Sequence, residues 1–151
     1  MEIPSAGGIK FGIVVSEWNA EITSALAEGA YKALIKWGAA EKDIQIKYVP
    51  GAFELPLGAQ FFLNSGQVEA VICIGCVIQG DTKHFDFICE AVSNGIKDLN
   101  LKYNIPVIFG VLTTNTLEQA KDRAGGIHGN KGEEAAITAI KMVALKKDYG
   151  L

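Results

Sequence analysis

Ala70-Val71-Ile72-Cys73-Ile74-Gly75-Cys76-Val77-Ile78-Gln79-Gly80-Asp81-Thr82-Lys83-His84-Phe85-Asp86 is the stretch whose reading decides the fold. Its first nine residues are apolar without a break, too few for a bilayer span and bounded by turn residues, which predicts a buried strand. The polar turn that follows opens onto Phe85 to Tyr103, an amphipathic segment that predicts a helix. A Gly-x-Thr turn between strand and helix aims backbone N–H groups at one point. The partial positive charge of a helix start makes an anion the natural occupant of that point. His84, one turn in, carries a side chain that moves protons near neutral pH. A phosphate seat beside a proton shuttle points to a small phosphorylated substrate.

Working outward, strand and helix signals alternate along the whole chain. Lys10 to Val15 is a short apolar strand. Ala20 to Trp37 has helical spacing through Ile22, Leu26, Ala30, Ala33, Leu34 and Trp37, with Gly38 as its C-cap. Asp43 to Val49 alternates as a strand, with Ile44, Ile46 and Tyr48 on one face and Gln45 and Lys47 on the other, until Pro50-Gly51 breaks it. Leu55 to Asn64 is a short helix ended by Ser65-Gly66, Pro106 to Leu112 a strand, and Thr116 to Asp122 a short helix. Asn130 caps a last helix that reaches about Lys147. The order β-α-β-α-β-α-β-α-α predicts an α/β protein, a three-layer αβα sandwich around a parallel four-stranded sheet of flavodoxin-like type. No linker divides the chain, so residues 11–151 are read as a single domain and residues 1–10 as an N-terminal arm.

Bulk properties set the limits. The 151 residues suit one core, with 49% hydrophobic and 21% charged residues as in ordinary globular proteins. A net charge of -3 with no basic stripe argues against nucleic acid as a partner. No run is long enough to cross a membrane, and Met1 to Lys10 lacks the pattern of a signal peptide, so a cytoplasmic location is expected. Cys73 and Cys76 spell C-x-x-C, yet they fall inside the strand run, where residues an odd number apart face opposite ways. They are read as small buried hydrophobes, neither redox pair nor zinc site, and Cys89 as a packing residue of a helix.

In such a sheet ligands bind beyond the carboxyl ends of the strands. That rule gathers Ser16-Glu17-Trp18-Asn19, Pro50-Gly51-Ala52-Phe53-Glu54, Gly80 to His84, and Thr113-Thr114-Asn115 on one rim. Gly75 with Gly80-Asp81-Thr82 approximates a nucleotide-binding loop. However, Asp81 stands where the lysine is needed, and the intervening residues read as strand, which rejects ATP or GTP hydrolysis. Of the fourteen Lys and Arg residues Arg123 is the only arginine, and a guanidinium grips phosphate with paired hydrogen bonds. Its bland alternative is a surface ion pair with Glu118 or Asp122. Lys131 can support the same anion or be a solvated helix-start lysine. Trp18 can stack on a planar ligand or cover the core, and the Glu54 carboxylate beside Phe53 can hold hydroxyls or ring N–H groups or simply complement a helix start. Phe109, inside a strand, is read as core. His128 lies in a glycine-rich loop with no comparable support. The two histidines and scattered carboxylates have no metal-ligand spacing, no G-x-G-x-x-G follows a strand, and no serine sits in a nucleophile elbow.

Taken together, Phe11-Gly12-Ile13-Val14-Val15-Ser16, Pro50-Gly51-Ala52-Phe53-Glu54-Leu55-Pro56, Gly80 to Asp86, and Gly129-Asn130-Lys131-Gly132 resemble the lumazine synthase family of riboflavin biosynthesis, in order and spacing, from Phe11 to about Lys147. The resemblance implies condensation of 5-amino-6-(D-ribitylamino)uracil with 3,4-dihydroxy-2-butanone 4-phosphate to 6,7-dimethyl-8-ribityllumazine, phosphate and water, with no cofactor and no metal. By that match His84 is the catalytic proton shuttle. Arg123 with Gly80, Asp81 and Thr82 binds phosphate. Trp18, Ala52, Phe53, Glu54, Val77, Ile78, Phe109 and Lys131 hold the pyrimidine and ribityl chain; for Phe109 this overturns the core reading. Much of the rate then comes from positioning two groups that are already reactive.

The resemblance also implies homopentamers. Each site is then shared between adjacent subunits, with Phe109, Arg123 and Lys131 from the neighbour of the subunit giving Trp18, Phe53 and His84. The tight Gly125-Gly126-Ile127-His128-Gly129 connection is similar to that of members forming icosahedral shells, for which riboflavin synthase is a candidate partner. Two departures stand out: Trp18 occupies a position that is often phenylalanine, and the arm, which in the family joins a neighbour's sheet, is short. Three other functions fit less well. An archaeal-type riboflavin synthase has no phosphate for Arg123 to bind, and a flavodoxin-like carrier needs a different loop after the first strand. A flavin-storage shell would not need His84, Arg123 and Lys131.

Overall fold

A computed structural model describes residues 2–151. The nine-residue apolar run forms β3 (Ala70–Ile78) within the bounds read from sequence, and it lies inside the sheet between β1 (Phe11–Ser16) and β4 (Val107–Thr114). β2 (Ile44–Val49) closes the other edge. All pairings are parallel in the order β2-β1-β3-β4, with Phe11 beside Ile44 and Ala70, and Val71 beside Val107.

The alternation along β3 divides the core. Ile72, Ile74 and Cys76 face one layer with Phe11, Ile13 and Val15, packed against α1 (Ala20–Lys36) and α5 (Lys131–Asp148) through Leu26, Leu34 and Ile140. Val71 and Cys73 face the other with Val14, packed against α2 (Leu55–Ser65) and α3 (His84–Tyr103) through Leu55, Phe62, Val92 and Ile96. This is the expected three-layer sandwich. Each fully buried Ile, Leu or Val contributes about 1.5–3 kcal/mol, so a strand buried on both faces is the strongest organiser in the chain. The two cysteines fall in opposite layers, as their spacing required. All three cysteines are free, and burial pushes the Cys73 thiol up to about 12 and the Cys76 thiol up to about 11.

Several boundaries moved. Glu41–Asp43 form a 3-10 turn where the strand was expected to begin, and Ala52–Glu54 form another that was not foreseen. β4 runs to Thr114, past Leu112. Tyr48 does not join Ile44 and Ile46 against the core; at the open edge it is 63% exposed. Gly38, at φ 113°, follows the last turn of α1 as predicted. The N-cap of α3 is Lys83, and the Thr82 hydroxyl accepts the His84 N–H at 3.3 Å.

A short hairpin, β5 (Ala124–Gly126) with β6 (Gly129–Asn130), links α4 (Leu117–Asp122) to α5. Its strands are too brief to show periodicity. Asn130 anchors it. Its Oδ1 accepts the N–H groups of Gly132 and Glu133 at 2.8 and 3.2 Å, while its Nδ2 donates to the Ala25 carbonyl of α1 at 3.1 Å. A Cβ on Gly132 would collide with the Leu26 carbonyl, and one on Gly29 with the Asn130 amide. The Gly129-Asn130-Lys131-Gly132 motif is thus a wedge that locks α5 to α1.

In the arm, Met1 lies outside the described residues. Ala6 and Ile9 are buried in their own chain's core, and the Ala6 N–H donates to the Trp37 carbonyl at 2.7 Å.

Candidate functional site

The carboxyl ends of β1, β2 and β3 converge on a cavity of about 380 Å³ lined by Trp18, Asn19, Gly51, Ala52, Phe53, Glu54, Cys76, Val77, Ile78, His84 and Ile88. Its walls follow from local chemistry. The loop after β1 is held to the end of β2 by backbone bonds, Glu17 N–H to the Val49 carbonyl at 2.8 Å and Trp18 N–H to the Pro50 carbonyl at 3.2 Å. The 3-10 turn buries Ala52 and leaves Phe53 60% exposed. Glu54 takes the N-cap position of α2, yet its carboxylate makes no capping bond and remains available to the cavity. Val77 and Ile78, half-buried at the end of β3, form an apolar floor, and His84 is exposed at the first position of α3. Flat aromatic rings, an apolar floor, one carboxylate and one imidazole suit a planar polar heterocycle.

A second cavity, of about 580 Å³, lies beyond the β4 edge, where Phe109, Thr113, Thr114, Gln119, Arg123, His128, Lys131 and Glu134 contribute to its lining. Arg123 ends α4. One guanidinium N–H donates to the Gln119 carbonyl at 3.0 Å, which orients the group, and no described carboxylate pairs with it. The ion pair with Glu118 or Asp122 therefore does not form. The hairpin turns the chain so that the Lys131 N–H donates to the Arg123 carbonyl at 2.9 Å, putting two cations on one wall. The His128 N–H donates to the Asp122 carbonyl at 2.8 Å and fixes the turn. Phe109 is only half-buried: on the edge strand it packs against the α2–α3 layer of the core and also lines this cavity. An oriented guanidinium with an ammonium beside it is anion-binding chemistry.

The two cavities have no lining residue in common. Of the sequence-predicted residues, Trp18, Ala52, Phe53, Glu54, Val77, Ile78 and His84 come together in the first, and Phe109, Arg123 and Lys131 in the second. Gly80, Asp81 and Thr82 are exposed and line neither. Sequence reasoning named no role for Asn19, Ile88, Gln119 or Glu134. The rim rule was a signal for Asn19, and the i, i+3 spacing from Lys131 was one for Glu134. Among the described residues no group of three or more His, Cys, Asp or Glu side chains could hold a metal ion, and no helix is long and apolar enough to cross a membrane.

The fold and rim define a small parallel α/β protein with one cavity walled by aromatic rings, a carboxylate and an imidazole, and another that carries an arginine and a lysine. The sequence profile of the 6,7-dimethyl-8-ribityllumazine synthase family matches residues 8–147, and the chain belongs to that family. It is 63% identical over 143 residues to the 6,7-dimethyl-8-ribityllumazine synthase of Cytophaga hutchinsonii, covering 95% of this chain and 90% of that one. It is 59% identical over 135 residues to the synthase of the same name from Bacteroides fragilis, covering 89% and 94%. With that of Porphyromonas gingivalis the identity is 49% over 145 residues, covering 96% and 90%.

Proposed function

We propose that this chain condenses 5-amino-6-(D-ribitylamino)uracil with 3,4-dihydroxy-2-butanone 4-phosphate to 6,7-dimethyl-8-ribityllumazine, phosphate and water, at sites completed between adjacent copies. The carrying observation is the separation of two complementary half-sites on one chain. The cavity with Trp18 and His84 suits the pyrimidine, the one with Arg123 and Lys131 suits the phosphate, and they share no residue. Family membership supports the reaction. Apposition of the Phe109 edge of one copy to the Trp18 rim of the next would bring the halves together in a closed ring, and a homopentamer is the ring we propose. Assembly into an icosahedral shell, with riboflavin synthase as partner, extends the same reading. Three unpaired thiols fit a cytoplasmic location.

In this reading Trp18 stacks on the pyrimidine ring. Ala52, Phe53 and Glu54 hold its edge and the ribityl chain, while Val77, Ile78 and the neighbour's Phe109 and Lys131 complete the pocket. The phosphate sits between the start of α3, at Gly80, Asp81 and Thr82, and the Arg123 guanidinium of the neighbour. His84 moves protons during imine formation, phosphate loss and ring closure. The amine and ketone react by themselves, so the site contributes mainly by holding them together.

Steady-state kinetics with both substrates test this, following lumazine absorbance and phosphate release in equal amounts. Arg123→Ala should raise KM for the phosphate ketone by about 10- to 100-fold, the loss of a charge-assisted paired contact, and leave that for the pyrimidine within about twofold. His84→Ala should lower kcat by no more than about 100-fold, the low end for a positioned acid–base. A folded oligomer turning over at only the uncatalysed rate would refute the function. Complete loss in folded His84→Ala would refute catalysis by positioning.

A further inference from the structure

Asn19 is built in an unusual way. It starts α1 with φ 61° and ψ 49°, one of two non-glycine residues at positive φ among the described residues; the other, Asn104, ends a helix. Left-handed backbone is ordinary after a helix and unusual at an N-cap, where extended backbone and a side-chain cap are the rule. The Asn19 side chain makes no cap bond. Its Nδ2 instead donates to the Cys76 carbonyl at 3.0 Å, across 57 residues of sequence. Cys76 directly precedes Val77 and Ile78, the cavity floor. The neighbouring Trp18 is thus pinned twice: its own N–H bonds the Pro50 carbonyl at the end of β2, and Asn19 bonds β3. Its indole stays 73% exposed at the cavity.

A residue that gives up its cap and adopts a sparsely populated backbone region marks a place where geometry serves a site. We infer that Asn19 is a positioning residue, which fixes the Trp18 ring over the cavity through its left-handed backbone and its bond to β3. Few side chains meet both demands. Glycine takes the backbone without a donor, aspartate takes backbone and shape without a donor at neutral pH, and alanine takes neither. The ligand consequence rests on the proposed stacking of the pyrimidine on Trp18; the ring's restraint does not.

The chain has two tryptophans, so Trp37→Phe, remote from the cavity, leaves Trp18 as sole reporter. In that background, Asn19→Asp and Asn19→Gly are compared by anisotropy and acrylamide quenching of Trp18 without ligand, by KM for each substrate, and by Tm. The expected result is lower anisotropy and stronger quenching in both variants. KM for the pyrimidine should rise about three- to tenfold, the loss of one hydrogen bond's restraint, with that for the phosphate ketone within about twofold. Unchanged Trp18 anisotropy and quenching in either folded variant overturns the inference. A loosened Trp18 with unchanged pyrimidine KM supports the positioning and refutes the stacking instead. If the aspartate variant does not fold, the glycine variant carries the test.

Discussion

Two cavities without a common residue make a quantitative prediction about mixed oligomers. One variant, Arg123→Ala, damages the anion half-site; another, Glu54→Ala with His84→Ala, damages the ring half-site. Each homo-oligomer then has a defect at every site. If a site takes its ring half from one subunit and its anion half from the next, random co-assembly at equal amounts gives both intact halves at one interface in four. With the phosphate ketone kept well below the KM of the Arg123→Ala protein, the mixture should reach about a quarter of unmutated activity, and activity should follow the product of the two fractions, peaking at equal amounts. The assay is lumazine formation after the variants are unfolded in denaturant, mixed and refolded together, against the same proteins mixed after separate refolding. Both halves within one chain would leave every site in the mixture with a defect. Activity equal to the fraction-weighted mean of the two parents, at every mixing ratio, would therefore refute the shared site.

Two further outcomes test the scaffold. Glycine to alanine inside a helix ordinarily stabilises by about 1 kcal/mol, but Gly132→Ala should destabilise by about 3 kcal/mol, because its Cβ meets the Leu26 carbonyl and must push α5 from α1; a raised urea midpoint would refute the wedge. Burial holds the Cys73 and Cys76 thiols protonated in the fold to about 12 and 11, whereas a thiol in the unfolded chain ionises near its ordinary value of 9.0. Above about pH 9 the unfolded chain therefore binds fewer protons than the folded one, and stability present at neutral pH declines as pH rises toward about 11. Urea midpoints should fall over that window and fall less in Cys73→Ala with Cys76→Ala; equal slopes would refute the linkage.

Local sequence was sufficient wherever local physics was. The unbroken run Ala70 to Ile78 could only be satisfied by burial on both faces, and the helical spacing through Ile22, Leu26 and Leu34 could only face one layer, so the order and type of the main elements were legible. The opposite facing of Cys73 and Cys76 followed from the two-residue period of a strand. Asn130 was recognisable as a cap because capping is a contact between near neighbours in sequence. Two residue types that line the cavities were readable for a similar reason: a lone arginine and a rim imidazole each carry their chemistry with them.

Other features depend on contacts between distant segments, and the tertiary structure decided them. Phe109 lies in a strand by pattern, and whether a strand residue is core or wall depends on what covers the sheet edge; at β4 no further strand covers it. Tyr48 has the periodicity of Ile44 and Ile46 but is exposed near the carboxyl end of the edge strand β2. Two-residue strands carry no period, so the hairpin that brings Lys131 to Arg123 was invisible before folding. Asn19 reaches Cys76 across 57 residues, a bond that no window along the sequence contains. Composition and periodicity determined which elements form and which chemistry they carry, because those are properties of neighbours in the chain. Sheet order and chain reversal determined which residues meet and placed them around two separate cavities, because those are properties of neighbours in space.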